Sequence, residues 1–238
     1  MTKSVDALCY KFIDLAQAPD TPGLYAWYGS LALYPADYKD DIADGVNLGV
    51  MRLRESLARH TARFDPRPRR LAGRAEFGAR WRGELQDTGR ISIRRKILGS
   101  TNTAGEIERI FDSATATANL RQELVLLLQS VQPTLTAPIY IGVTNSLKRR
   151  LREHSSLYND LKDAASRDPD KLAELKRNIE NQRTEFAHRV VAAEFEPENL
   201  FVYVWPYSSS LTPVETDNLL KSAEWLLNRW HRPILGRE

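Results

Sequence analysis

The chain carries a single cysteine, Cys9, in 238 residues. One thiol excludes a disulfide framework and a cysteine-built zinc site, and it fits a reducing cytoplasm. Histidine is almost as scarce. His60, His154, His188 and His231 stand far apart with no HExxH-like pair, so a histidine-built zinc site is not expected either. Long apolar runs are missing: Leu124 to Leu128, for one, falls far short of the roughly 18 residues of a membrane span. The stretch from Met1 to Pro19 interleaves Lys3, Asp6, Lys11 and Asp14 with apolar residues and holds nothing like a signal-peptide core. Internal repeats and low-complexity tracts are absent as well. The expectation is a soluble, cytoplasmic protein with no membrane partner.

What is present suffices for a core. Hydrophobic residues make up 42% of the chain and aromatics 9%, which excludes wholesale disorder. The length suits one large domain, or one core with an elaborated insertion. The net charge of +3 is unevenly spread. Residues 63–96 hold eleven cations and only four acids, Asp65, Glu76, Glu84 and Asp87, for a local charge of +7. Ten of those cations are arginine, whose planar fork suits phosphate. Two readings stay open at this point. The segment is a solvated connector, or it contacts nucleic acid and releases counterions from the backbone.

Periodicity outlines the elements. Pro22-Gly23 opens a strand over Leu24–Tyr28, and residues 40–62 place Val46, Val50, Leu53 and Leu57 at helical spacing. Leu120, Leu124, Leu127, Leu128 and Val131 form the stripe of a helix expected to end at Pro133. Then come a strand at Pro138–Val143, a helix containing Leu147 and Leu151, and a long helix marked by Leu172, Leu175, Ile179, Phe186 and Val190. A strand from Leu200 to Trp205 and a helix from about Pro213 to Trp230 complete the chain.

Three local groupings carry chemistry. Tyr140 lies opposite Ile139, Ile141 and Val143 in its strand. The helix after it, capped by Asn145 or Ser146, starts with Lys148, Arg149, Arg150 and Arg152. Cations there oppose the helix dipole, a conflict that a bound anion would relieve. Arg150 and His154, four apart, share a helix face. An exposed basic helix is the alternative. In the last helix, Thr212-Pro213-Val214-Glu215 reads as a capping box, which gives Glu215 a structural task. Glu224, between Leu220 and Leu227 on the apolar face, needs either a cation partner or a metal. In the first strand Tyr25 and Trp27 share a face. If that strand pairs antiparallel with Ile139–Val143, Tyr25 and Tyr140 meet on it; half-buried sheet tyrosines are the alternative.

Together these groupings resemble the GIY-YIG nuclease family. Its first motif stands as Gly23-Leu24-Tyr25, with Leu for the usual Ile, and its second as Tyr140-Ile141-Gly142. Arg150 with His154, and Glu224 with Pro233 nine residues on, match the family's helical positions. The matching segments, roughly 22–28, 138–154 and 198–236, cover about a quarter of the chain. The departures are a long insertion between the two tyrosine strands and Gly236 near the place of a frequent Asn.

The resemblance implies an α+β fold, a small three-stranded antiparallel sheet flanked by helices and interrupted by a mainly helical, Arg-rich insertion. The expected division is 1–37 and 134–238 for the nuclease core and 38–133 for the insertion. It implies hydrolysis of a DNA phosphodiester with one Mg2+, for which Mn2+ substitutes, leaving 5′-phosphate and 3′-hydroxyl ends. Glu224 would be the sole protein ligand, Arg150 the phosphate clamp, and Tyr25 the group orienting or deprotonating water, with His154 as proton acceptor and Tyr140 positioning water or phosphate. Lys148, Arg149, Arg67, Arg69, Arg70, Arg74, Arg80, Arg82, Arg94 and Arg95 are the expected nucleic-acid contacts. A restriction or defence role on double-stranded DNA is expected, with a homodimer if both strands of a palindrome are cut. The alternatives are a structure-specific repair or recombination nuclease and a catalytically inactive nucleic-acid-binding module.

Overall fold

The computed structural model describes residues 6–64, 69–74, 80–85, 106–179, 185–231 and 233–235. The chain divides into two compact units, one of residues 1–32 with 131–238 and the other of residues 33–130.

In the first unit a sheet combines β1 (Leu8–Lys11) with β2 (Gly23–Gly29), and two further strands lie far along the chain. The second unit contributes α1 (Pro35–Tyr38), the short strands β3 (Ile42–Ala43) and β4 (Val46–Asn47), α2 (Leu48–Arg63), β5 (Arg69–Arg74), β6 (Arg80–Leu85) and α3 (Glu106–Ala114). Helix α4 (Ala118–Leu135) follows, then β7 (Tyr140–Thr144), α5 (Leu147–Arg167), α6 (Pro169–Ile179), α7 (Phe186–Ala192), β8 (Leu200–Pro206) and α8 (Pro213–His231).

The sheet order is β1-β8-β2-β7, every pair antiparallel. It is α+β as expected, but four-stranded where three strands were expected. The added strand, β1, pairs Leu8–Lys11 with Val204–Phe201 at the outer edge of β8. Only four residues long and mostly exposed, it offers no apolar alternation from which a strand is legible. Strand β2 is central, and Tyr25, Ala26 and Trp27 are buried in succession. In β8, Leu200, Val202 and Val204 are buried while Phe201, Tyr203 and Trp205 are half-buried, the alternation of a strand with one covered face. Leu147, Leu151 and Tyr158 of α5 and Phe186, Val190 and Val191 of α7 complete the core. Leu235 closes the unit: its N–H donates to the Ile139 carbonyl at 2.7 Å, and its own carbonyl accepts from the buried Arg189 at 2.6 Å.

Four sequence expectations are corrected. The helix expected over 40–62 begins only at Leu48, because Asp44-Gly45, both at positive φ, turn a hairpin between β3 and β4. Asn47 then caps α2 by accepting from the Gly49 N–H at 3.0 Å. Pro133 does not end α4; in the last turn it forfeits a single backbone bond, and the helix reaches Leu135. The leucine stripe of α4 is not its buried face either. Leu120 and Leu127 are exposed, while Arg121 and Val125 are buried. Arg121 sets the helix rotation by donating to the Tyr38 carbonyl at 2.7 Å, the Thr115 carbonyl at 2.8 Å and the Asp40 carboxylate. The long helix expected through Val190 is two helices, α6 and α7, with residues 180–184 outside those described.

Candidate active site

Register decides which side chains meet. Tyr25 stands opposite Gly142, and Trp27 opposite Tyr140, in the β2–β7 pair. Tyr25 and Tyr140 therefore share a face, with ring centroids 6.1 Å apart and nearly parallel. Gly142 makes this possible. A Cβ there would lie 2.6 Å from the Tyr25 hydroxyl and 2.9 Å from Tyr140 Cε1, so the Tyr25 ring lies across the bare backbone of the edge strand. The tripeptide Tyr140-Ile141-Gly142 thus has a local steric reason as well as a motif.

Helix α5 adds His154 from its second turn. The imidazole is 4% exposed and boxed by Tyr25, Tyr140, Trp27 and Phe186, with Phe186 nearest at 4.9 Å between centroids. Its Nδ1 accepts from the Trp27 indole N–H at 3.3 Å, and its Nε2 is buried with no hydrogen-bond partner among the described residues. A nitrogen that accepts carries no proton, so the neutral ring bears its proton on Nε2 and is a donor there. Burial, then the Arg150 charge, pushes the His154 pKa down to about 3. The geometry accordingly makes His154 a neutral donor, not the acceptor of a tyrosine proton.

Arg150, one turn earlier, is half-buried. Its guanidinium reaches the Tyr25 hydroxyl and donates to Glu153 at 3.1 Å. Burial works against its charge, but Tyr25, Glu153 and Tyr140 together hold its pKa above the ordinary value. The Tyr25 hydroxyl, in turn, is raised well above its usual 10 by burial first, then by Tyr140 and, more weakly, by the Glu224 carboxylate. Glu224 therefore lies within electrostatic reach of Tyr25. It is half-buried on α8, whose start is fixed by the expected capping box: Thr212 Oγ1 accepts from the Glu215 N–H at 3.3 Å, and Glu215 accepts from the Thr212 N–H at 2.9 Å. These bonds hold the Glu215 carboxyl below its usual pKa.

Beside this cluster opens a groove of about 360 Å³, lined by Arg149, Arg150, Glu153, Asn145, Asp217 and Lys221 among others. Helix α5 does not offer its N-terminus to an anion. The Leu147 and Lys148 N–H groups donate to the Thr21 and Pro19 carbonyls, and the Arg149 N–H to its cap, Ser146. The helix-terminus expectation therefore gives way to a groove into which the Arg149 and Arg150 side chains reach. Lys148 is half-buried and Arg149 exposed on that same first turn.

The remaining expected contacts are distributed elsewhere. Arg69, Arg70 and Arg74 stand on β5 and Arg80 and Arg82 on β6, an antiparallel pair with Arg74 opposite Arg80. The basic segment is thus a hairpin over those residues; Arg67, Arg94 and Arg95 lie outside the described residues. Among the described residues no three His, Cys, Asp or Glu side chains are grouped to hold a metal. That donor set does not fit zinc, which takes three or four protein ligands. A single carboxylate beside an arginine-lined groove fits a hard cation that keeps most of its water shell.

Three contributors escaped the sequence reading: Trp27, Phe186 and Glu153. Trp27 had a usable signal, since its two-residue spacing from Tyr25 places both on one strand face. Phe186 had none, because its contact spans distant elements. No family model, curated protein or solved structure matches the chain. The functional reading therefore rests on a cluster of two tyrosines, an arginine, a histidine and a glutamate, of which Arg150 opens onto the groove.

Proposed function

We propose that the protein is a divalent-metal-dependent endonuclease of the GIY-YIG type that hydrolyses DNA phosphodiester bonds. The observation that carries this reading is convergence. Tyr25, Tyr140, Arg150 and Glu224 come from three segments far apart in the chain and act electrostatically on one another, and Arg150 also lines the groove. A purely structural cluster has little reason to hold an arginine half-open against a buried phenol.

Each residue has a task in that chemistry. Arg150, fixed by Glu153 and Tyr25, holds the non-bridging phosphate oxygens, where its charge counts most as negative charge builds in the transition state. Tyr25 keeps its proton at neutral pH, so its hydroxyl orients the attacking water instead of serving as a standing phenolate base. Tyr140 bounds the same space. The His154 Nε2–H is a buried donor, and the ring packs against both tyrosines. Glu224 would hold magnesium, which when bound supplies charge stabilisation to the scissile phosphate and the leaving oxygen. Duplex DNA as substrate, a homodimer and a restriction or defence role follow from the family resemblance.

The test is incubation of the purified chain with supercoiled plasmid, single-stranded DNA and RNA, with and without magnesium, followed by analysis of the cut ends. Metal-dependent products with 5′-phosphate ends are expected. Retained binding with no cutting of any substrate would replace the endonuclease with a nucleic-acid-binding module.

A further inference from the structure

Helix α8 leaves Trp225, the residue after the candidate site's Glu224, 58% exposed. Its neighbours are ordered. Lys221, Trp225 and Arg229 follow at four-residue spacing, which lines them along one stripe in steps of roughly 6 Å. The Arg229 guanidinium lies over the indole at 4.6 Å from its centre. Next to the ring is an open groove of about 500 Å³ lined by Asn218, Lys221, Ser222, Trp225 and Leu226. Lys221 also lines the groove that contains Arg149 and Arg150. The two grooves therefore share one lysine.

We propose that Trp225 is a stacking platform for an unpaired nucleobase of the substrate, with Lys221 and Arg229 taking phosphates on either side. This rests on the endonuclease reading and deepens it by refining the substrate, a DNA duplex that carries an unpaired segment beside the cleaved bond. Charge decides for this occupant. Arg149, Arg150, Lys221 and Arg229 outnumber the acids beside them, Glu224, Asp217, which pairs with Lys221 at 2.6 Å, and Glu153, which pairs with Arg149 and Arg150. The cations flank an aromatic face, the combination that tracks a single strand: backbone on charge, base on ring. A base paired in a duplex keeps its faces covered by its neighbours and cannot use the platform.

The test is anisotropy titration of the full chain, without magnesium so that nothing is cut, against labelled oligothymidylate and a duplex of equal length. Trp225→Ala should weaken the single strand by on the order of tenfold, the effect of losing one base–aromatic stack. Its duplex affinity and salt slope should match wild type, since no charge is removed. Trp225→Phe should keep most of the single-strand affinity, and Arg229→Gln should lower the salt slope by about one. Unchanged single-strand affinity in Trp225→Ala overturns the platform. So does a wild-type dimer that dissociates on this substitution, which would assign the tryptophan to an interface between copies. A wild type that binds neither nucleic acid overturns the endonuclease reading itself.

Discussion

Trp27 and His154 form the buried hydrogen bond on which the chemistry of this site turns. The indole donates to Nδ1 and so commits the imidazole proton to the buried Nε2. Trp27 is thus a positioning residue. Imidazole nitrogen NMR should find the Nε2–H tautomer in wild type and a redistribution toward Nδ1–H in Trp27→Phe; an Nδ1–H wild type would contradict the assignment. The same burial gives a pH signature. With a folded pKa of about 3 against the ordinary 6.5, His154 binds its proton more readily when unfolded. It contributes stability that is present above about pH 6.5 and lost as pH falls toward 3. The gap in unfolding midpoint between wild type and His154→Gln should therefore shrink from pH 7 to pH 4, and a gap that stays constant would show that the imidazole is not held neutral. His60, lowered to about 4 by burial and then by Arg63, shifts both proteins alike. Cleavage, by the same reasoning, should show no inflection near pH 6.5.

Among the elements, those with strong local signals were legible and those set by distant partners were not. Strands β2, β7 and β8 and the caps of α5 and α8 follow from alternation, Ser146 and the Thr212–Glu215 box, all readable within a few residues. The pairing of Tyr25 with Tyr140 was conditional on register and is met in the sheet. The rotation of α4 was not legible, because a buried arginine hydrogen-bonded to residues some eighty positions earlier outweighs its leucines. Nor was β1, whose only support is the edge of β8. The β5–β6 hairpin was not legible either, since the insertion was expected to be mainly helical and Arg69–Arg74 shows no strand alternation. It concentrates five arginines on two short strands, which suits phosphate backbone. Replacing Arg69, Arg70, Arg80 and Arg82 by glutamine should weaken DNA binding and reduce its salt slope by up to about four. Unaltered affinity and slope would remove the hairpin from the interface.

Across the molecule, the unit that carries the sheet also brings the end of β7, the start of α5 and the first half of α8 to one groove. No helix among the described residues is long and apolar enough to cross a membrane. The second unit interrupts that fold between the two tyrosine strands and carries the Arg-rich hairpin. An insertion of this kind leaves the catalytic geometry to the sheet and is free to supply affinity, so losses in the two units should separate: hairpin variants in binding, groove variants in turnover. The most direct measurement is magnesium-dependent nicking of supercoiled plasmid by wild type and by Glu224→Ala, with both shown to share one circular-dichroism spectrum and unfolding midpoint. The account predicts cutting by wild type that needs magnesium, and none by the variant while it still binds DNA. Equal cutting by the two proteins, or cutting by wild type that persists in chelator, would contradict it.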